Sequence, residues 1–348
     1  MLTHYNGQDA DATLRLLKMF KSELVKDIQL FNLYSSIVMP STLLMAKFQH
    51  RGMCVNPTTI ADAVKSMEDK VQAVENELSA LPQVRNVNKK LKNDRFNSKS
   101  PKQVKELLYG QFKLKTAHMT KTGQPSTSED ALKSLPQDNR AVQLLLEVSE
   151  VKGLMNTLTQ YQQHKRLNDD GKWYIHGSYD NAFVVTGRVS CREPNLMAIP
   201  RPSPDLKVNV ASAFVSRFDG GKLLCPDYSQ LELRLLAEMT REESWFRGYQ
   251  DPGFDLHQET AERSGIERRE AKAINFGVVY GIGAKKLAVQ IDKPYLEARD
   301  ILDNYWRLHP MIKDWFDDQH LEVRTEGQVR TIAGRIRRLP DGRDLPQD

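Results

Sequence analysis

The sequence predicts an α+β chain, mostly helical, with one small antiparallel sheet. Three observations carry that class. Apolar residues recur at three- and four-residue steps through most of the chain. The few runs rich in β-branched and aromatic residues are short and do not alternate with helices as βαβ units would. The composition is that of a globular protein, 40 % hydrophobic and 27 % charged over 348 residues with 19 Gly and 16 Pro.

Residues 9–35 read as a helix, because Leu14, Leu17, Val25, Ile28 and Leu33 share a stripe, and Pro40 reads as its breaker. A second helix is expected over 41–49, ended by Arg51-Gly52. Val55-Asn56-Pro57 is extended. Pro57-Thr58-Thr59 opens a long helix over 58–80, with Val64, Met67, Val71, Val74 and Leu78 at helical spacing, and Pro82 stops it. Ser100-Pro101 pairs an N-cap with a first-turn proline ahead of a short helix over 101–109. Residues 122–127 form a loop, Ser128-Glu129-Asp130 opens another helix, and 138–168 is helical again. Three strands are expected, at 173–175, 182–185 and 222–225. Residues 229–320 are mainly helical, and a hairpin over 329–332 and 335–337 turns at Ala333-Gly334.

The same sequence excludes several classes. No apolar run approaches the roughly 20 residues of a membrane helix, so no membrane partner is expected. Met1-Leu2-Thr3-His4-Tyr5 lacks the basic and then apolar stretch of a signal peptide. Cys54, Cys191 and Cys225 are too scattered for a disulfide framework or a CxxC zinc site and fit a reducing compartment. The net charge is only +5, but residues 85–121 hold eleven cations against Asp94 and Glu106, a local +9. Clustered cations fit a polyanion, through phosphate neutralisation and counterion release, and equally a solvated helix face.

Two segments carry chemistry. In Lys222-Leu223-Leu224-Cys225-Pro226-Asp227-Tyr228-Ser229-Gln230-Leu231-Glu232-Leu233-Arg234 a strand is expected to deliver Asp227 to a sheet edge. A helix capped by Ser229 then places Glu232 about one turn in. A hard divalent cation such as Mg²⁺ takes one or two carboxylates plus substrate phosphates, and the backbone before Asp227 can add a carbonyl. The second segment runs from Glu267 to Gly281. There Arg268, Lys272, Phe276 and Tyr280 stand four residues apart and line one helix face. Two cations followed by two rings suit a triphosphate and then a sugar and base. A core stripe would carry Leu or Val at the cationic positions. Gly281-Ile282-Gly283-Ala284 matches neither phosphate-loop pattern and reads as a helix-ending turn. His257, just upstream in Asp255-Leu256-His257, can donate to a phosphate, and Thr186-Gly187-Arg188 presents an arginine from a tight turn.

Taken together, these segments resemble the family A DNA polymerases, the bacterial DNA polymerase I-like group. Asp227-Tyr228-Ser229-Gln230-Leu231-Glu232-Leu233-Arg234 is similar to that family's palm motif A. Arg268-Arg269-x-x-Lys272-x-x-Asn275-Phe276-Gly277-x-x-Tyr280-Gly281 is similar to motif B of its fingers. Thr186-Gly187-Arg188-Val189-Ser190 with Glu193-Pro194-Asn195-Leu196 resembles the segment gripping primer and template, although Met197-Ala198 stands where the family often has Gln-Asn. Phe96-Asn97, Lys102-Gln103 and residues 125–129 resemble its thumb, and Tyr5-x-x-x-Asp9 the last motif of its 3′–5′ exonuclease.

The resemblance implies a right-hand architecture. Residues 1–40 would be the end of an exonuclease domain, 41–150 the thumb, 151–240 a partial palm, and 241–348 the fingers and the start of the return to the palm. It implies template-directed DNA synthesis, with primer-template DNA and dNTPs as partners, two Mg²⁺ ions as cofactors, and a cytoplasmic place in a bacterial cell or phage-infected host. Asp227 would be the catalytic carboxylate and metal ligand, assisted by the Tyr228 backbone. Arg268, Lys272 and His257 would hold the triphosphate, with Gln230, Phe276 and Tyr280 completing the dNTP site. Glu232 would close the space beside the sugar's 2′ position, and Phe276 would discriminate against dideoxynucleotides. Arg188, Thr186, Asn195, Lys89, Lys90, Lys99 and Lys102 would contact DNA. The family's second catalytic acid lies in a His-Asp-Glu hairpin, and no such triplet occurs here. Asp317-Asp318 stands in a polar helical context that does not replace it. The expectation is a partial chain with little activity alone, or a non-catalytic DNA- and dNTP-binding half that awaits a complementing C-terminal fragment.

Overall fold

A computed structural model of the chain describes residues 2–92, 95–116, 118–120, 122–201 and 208–344. In chain order the helices are α1 (Leu2–Leu24), α2 (Ile28–Leu33), α3 (Met39–Arg51), α4 (Pro57–Ala80), α5 (Pro82–Leu91), α6 (Pro101–Lys105), α7 (Glu129–Lys133), α8 (Arg140–His164), α9 (Leu231–Thr240), α10 (Glu243–Gly248), α11 (Leu256–Ser264), α12 (Arg268–Val279), α13 (Ala284–Ile291), α14 (Tyr295–Leu308) and α15 (Pro310–Glu326). The strands are short: β1 (Met53–Val55), β2 (Lys165–Leu167), β3 (Trp173–Ile175), β4 (Ser178–Asp180), β5 (Ser190–Arg192), β6 (Gln328–Arg330) and β7 (Ile336–Arg338). The mostly helical α+β class is what the sequence predicts. The chain divides into two compact units, Tyr34–Leu223 and Met1–Leu33 with Leu224–Asp348.

Within Tyr34–Leu223, α4 packs along α8. Each long helix starts on an asparagine cap: Asn56 accepts from the Thr58 and Thr59 N–H groups, and Asn139 from those of Ala141 and Val142. At one end, Val84, Val87, Leu107, Leu108 and Leu144 make a closed apolar core. At the other, Ile60, Met67, Leu158 and Tyr161 pack under an antiparallel sheet of order β1-β3-β2, in which Tyr174 faces Cys54 on one side and Arg166 on the other. A second ribbon pairs β4 with β5, Tyr179 opposite Cys191.

The other unit joins both ends of the chain. Helices α9 to α15 enclose Trp245, Ile274, Leu287, Tyr305 and Ile312. Asp27 ties the N-terminal segment to the β6–β7 hairpin. One carboxylate oxygen accepts from the Gln29 and Leu30 N–H groups, which starts α2, and the other meets Arg330 at 2.7 Å. That guanidinium, with the backbone donors, holds the Asp27 carboxyl below its ordinary range. At the hairpin turn Gly334 has φ +86°, and a Cβ there would stand 2.8–3.2 Å from Gln29 atoms, its carbonyl among them.

Five expectations change. The helix expected over 9–35 is two, α1 and α2, broken at Asp27 by its own capping bonds. Pro40 breaks nothing: it lies in the first turn of α3, where no intrahelical N–H is required, and a π-helical turn, Tyr34–Val38, joins α2 to it. The helical stretch Ile28–Arg51 is then long and apolar enough to cross a membrane by length and composition, and little of it is buried. Exclusion from unbroken apolar runs missed it, because Gln29, Asn32 and three serines interrupt a stretch that has no charge between Asp27 and Lys47. Residues 182–185 are bends, not a strand: the Asp180 carboxylate takes the Ala182 and Phe183 N–H groups and turns the chain locally. Among the described residues, 222–225 pair with no strand, and Leu224 is 90 % exposed, so Asp227 stands on irregular backbone. The hairpin at 329–337 is present as β6 and β7.

Gly334→Ala adds a clash with backbone to left-handed strain, whereas Gly265→Ala, at φ +67° with open space around it, adds strain alone. Both lose stability by about 1–2 kcal/mol from the left-handed Cβ. Gly334→Ala loses measurably more in urea denaturation of the full chain, and equal losses contradict the close approach to Gln29.

Candidate active site

Helix α12 owes its orientation to its apolar face. Ala271, Ile274 and Val278 are buried, and α12 packs against α9, α11 and α13. The opposite stripe is exposed at Arg268, Lys272 and Tyr280 and half-buried at Phe276. A capping box between Glu267 and Glu270 starts the helix, and Tyr280 is its C-cap. Gly281 and Gly283 end it as a turn before α13, as expected.

His257 is 3 % exposed on α11, its ring 5.4 Å from that of Phe276. Burial pushes its pKa below 6.5, and the Arg268 and Lys272 charges act in the same direction, against Asp255. The Asn275 amide nitrogen lies 3.1 Å from His257 Nδ1. An amide nitrogen only donates, so Nδ1 accepts and the neutral ring carries its proton on Nε2. Asn275 is fully buried and shares hydrogen bonds with Thr260.

Asp255 joins α11 to α12. Oδ1 accepts from the His257 and Gln258 N–H groups and caps α11, while Oδ2 takes Arg268 Nε at 3.0 Å and Nη2 at 2.7 Å. Desolvation pushes its carboxyl up, but Arg268 and the two backbone donors outweigh it and leave the group below its ordinary range.

The segment before α9 is a locked turn. Gln230 adopts φ +53° at the N-cap position and accepts from the Tyr249 hydroxyl at 2.9 Å. Arg234 lies 4.4 Å over the Tyr249 ring and donates from Nε to the Ser229 carbonyl. Ser229 is not the cap expected of it, because left-handed Gln230 occupies that place with no side-chain cap bond. Glu232 is the second residue of α9 and accepts from the Tyr280 hydroxyl at 2.7 Å. Asp227 and Tyr228 are exposed. Among the described residues no three or more His, Cys, Asp or Glu converge as a metal site. The Asp227 carboxylate and the Tyr228 backbone carbonyl are hard oxygen donors of the kind a Mg²⁺ completed by nucleotide phosphates and water takes.

The residues expected to contact DNA lie in Tyr34–Leu223. Thr186 and Arg188 are exposed around Gly187, which has φ +80°. Asn195 is exposed, its side chain accepting from the Met197 N–H. Lys89, Lys99 and Lys102 are exposed, while Lys90 grips Glu106 at 2.8 Å and Arg95 reaches Glu75. Part of the local positive charge is thus answered within the fold. Lys99 also borders a cavity of about 380 Å³ with Ser149 and Lys152. Tyr5 and Asp9 are exposed on α1. Lys121 and Asp94, counted in the basic stretch, lie outside the described residues.

His257, Arg268, Lys272, Phe276, Tyr280 and Glu232, expected to share a site, all lie in the unit formed by Met1–Leu33 and Leu224–Asp348. Sequence reasoning missed Asp255, Asn275 and Tyr249. Asp255 had a signal, an aspartate opening a helix, and Asn275 another, an amide on an apolar face. Tyr249 had none, since its partner is nineteen residues away.

Residues 64–345 match the family model described as DNA polymerase family A. The chain belongs to DNA polymerase family A. Among the family's members, DNA polymerase I of Rhizobium leguminosarum is 32 % identical over 97 % of this chain and 33 % of that protein. The thermostable DNA polymerase I of Thermus thermophilus is 30 % identical over 96 % of this chain and 40 % of that protein. The chain thus spans about a third to two fifths of these relatives. The POL domain of Pol1 from M. smegmatis, solved in complex with DNA primer-template and dNTP, superposes with a TM-score of 0.82 at 26 % identity, over 97 % of this chain and 58 % of that one.

His257 gives the pH dependence of the site. The folded state disfavours its imidazolium, so the unfolded chain takes the proton first on acidification. Its contribution is intact above 6.5 and is lost as pH falls through the lower, folded value. An NMR titration of the full chain should place the His257 midpoint below 6.5, and a midpoint at or above it contradicts the buried, Asn275-bonded ring.

Proposed function

We propose that this chain serves template-directed DNA synthesis, the transfer of a nucleotide from a dNTP to a primer 3′-hydroxyl. One observation carries the reading: a family A chain sets Arg268, Lys272, Phe276 and Tyr280 along the exposed face of α12, with His257 packed beside Phe276. Arg268 and Lys272 neutralise charge that builds on the leaving pyrophosphate, and His257 Nε2–H donates to a phosphate oxygen without having to ionise. Phe276 and Tyr280 receive the sugar and base. Glu232, held by Tyr280, narrows the space beside the sugar's 2′ position, and the Tyr249–Gln230 bond fixes the turn that follows Asp227. A Mg²⁺ bound at Asp227 and the Tyr228 backbone would supply Lewis-acid polarisation of the transferring phosphoryl group.

In this reading residues 41–150 are the thumb, 151–240 the palm and 241–348 the fingers. Arg188, Thr186, Asn195 and Lys89, Lys90, Lys99 and Lys102 contact primer-template DNA. The bacterial DNA polymerase I relatives support a place in the cytoplasm of a bacterial cell, and a phage-infected host is the alternative in this reading. In-line displacement is served by two metal ions, and Asp227 is the one metal-binding carboxylate this reading assigns. A polypeptide of these 348 residues is therefore expected to bind primer-template and dNTP while extending primers poorly.

Duplex binding and primer extension measured on that polypeptide test both parts. Duplex affinity should fall by about 10³–10⁵ between 50 and 200 mM salt if six to ten phosphates are contacted. Lys272→Ala should weaken dNTP binding by about ten- to a hundredfold, the range for losing a charged hydrogen bond. Absence of duplex and dNTP binding sinks the reading. Robust Mg²⁺-dependent extension that Asp227→Ala abolishes supports nucleotidyl transfer and overturns the expectation of poor activity.

A further inference from the structure

We infer that Asp255 is a positioning residue for the triphosphate site: its carboxylate fixes the Arg268 guanidinium so that the Nη1 edge faces a phosphate. This rests on the nucleotide reading of α12 given above.

The argument starts from an unfavourable placement. Arg268 is the first residue of α12, where a cation opposes the positive end of the helix dipole. The ion pair it makes with Asp255 is half-exposed, 53 % and 39 % by side chain, and pairs of that kind add little to stability. Fold stability thus gives a weak reason for an arginine there, and the geometry gives another. Asp255 Oδ2 receives both Nε and Nη2, which pins one edge of the planar guanidinium and leaves Nη1 outside the contact. A guanidinium fixed in plane offers a directed pair of donors to a phosphate and loses less rotamer freedom on binding one. The other oxygen of the same carboxylate caps α11 through the His257 and Gln258 N–H groups. One side chain therefore sets two phosphate-binding residues that lie on different helices.

Electrostatics alone predicts the opposite outcome. A carboxylate beside Arg268 lowers the local positive potential, so its neutralisation should tighten anion binding. Positioning predicts loosening, and the two separate by sign.

Asp255→Asn makes the test clean. Asparagine caps a helix about as well as aspartate, so α11 is kept while the charged grip on Arg268 goes. Binding of Mg·dATP and of inorganic tripolyphosphate to the full chain with primer-template is measured by equilibrium dialysis. Asp255→Asn should lose about tenfold for both ligands, consistent with the loss of charge-assisted bonding. Its thermal midpoint should match the wild type. In an Arg268→Ala background the same substitution should change nothing further, because Asp255 acts through Arg268. Unchanged or tighter binding in Asp255→Asn overturns the inference and leaves the nucleotide reading standing. An additive loss in the Arg268→Ala background overturns it too. A wild-type chain that binds neither ligand overturns both.

Discussion

The chemistry proposed for this chain depends on the burial of one helix face. Ile274 and Val278 are locked into the core around Trp245 and Tyr305 and Ala271 is fully buried, so α12 is not free to rotate about its axis. A turn of about 100° per residue then dictates that Arg268, Lys272, Phe276 and Tyr280 face outward together. Hydrophobic burial orients the helix, and the cations are carried by it. Three of the four are then trimmed by a neighbour: Arg268 by Asp255, Phe276 by the His257 ring, and Tyr280 by Glu232.

The polar groups beneath that face are as constrained as the apolar ones. Asn275 is the one fully buried amide on α12, and it spends its hydrogen bonds on Thr260 and His257. A buried amide with partners costs little, and one without them costs heavily, so this contact fixes the spacing of α11 and α12 as well as the histidine tautomer. Tyr249 does the same for α9. Its ring sits under Arg234 and its hydroxyl on Gln230, which holds a left-handed turn next to Asp227. Asp227 itself is exposed and stands on irregular backbone, which suits a carboxylate whose partners arrive with substrate.

Much of this was legible in the sequence because it is periodic. The four-residue spacing of Arg268, Lys272, Phe276 and Tyr280 foretells both a helix and a shared face, and the helix at 58–80 follows from its opening Pro57-Thr58-Thr59, its stop at Pro82 and its valine and methionine stripe. Legibility fails where a local side-chain bond beats intrinsic propensity. Residues 182–185 look like a strand, yet Asp180 takes two of their N–H groups and bends them. Lys222-Leu223-Leu224-Cys225 has strand propensity but no pairing strand among the described residues, and a strand is a property of pairs. The π-helical turn before Pro40 is equally hidden, because a proline in a first turn and a proline that ends a helix read alike. Contacts such as Asp27 with Arg330, three hundred and three residues apart, have no local signature.

Chemical protection of lysines tests the central claim, that the outward stripe of α12 receives a triphosphate. Acetylation of the full chain with primer-template, with and without Mg·dATP, compares Lys272 on the stripe with exposed Lys285 and Lys286 on α13. The account predicts that the nucleotide shields Lys272 and leaves the two α13 lysines as reactive as before. Equal reactivity of Lys272 in both conditions, while dATP is bound, would contradict it.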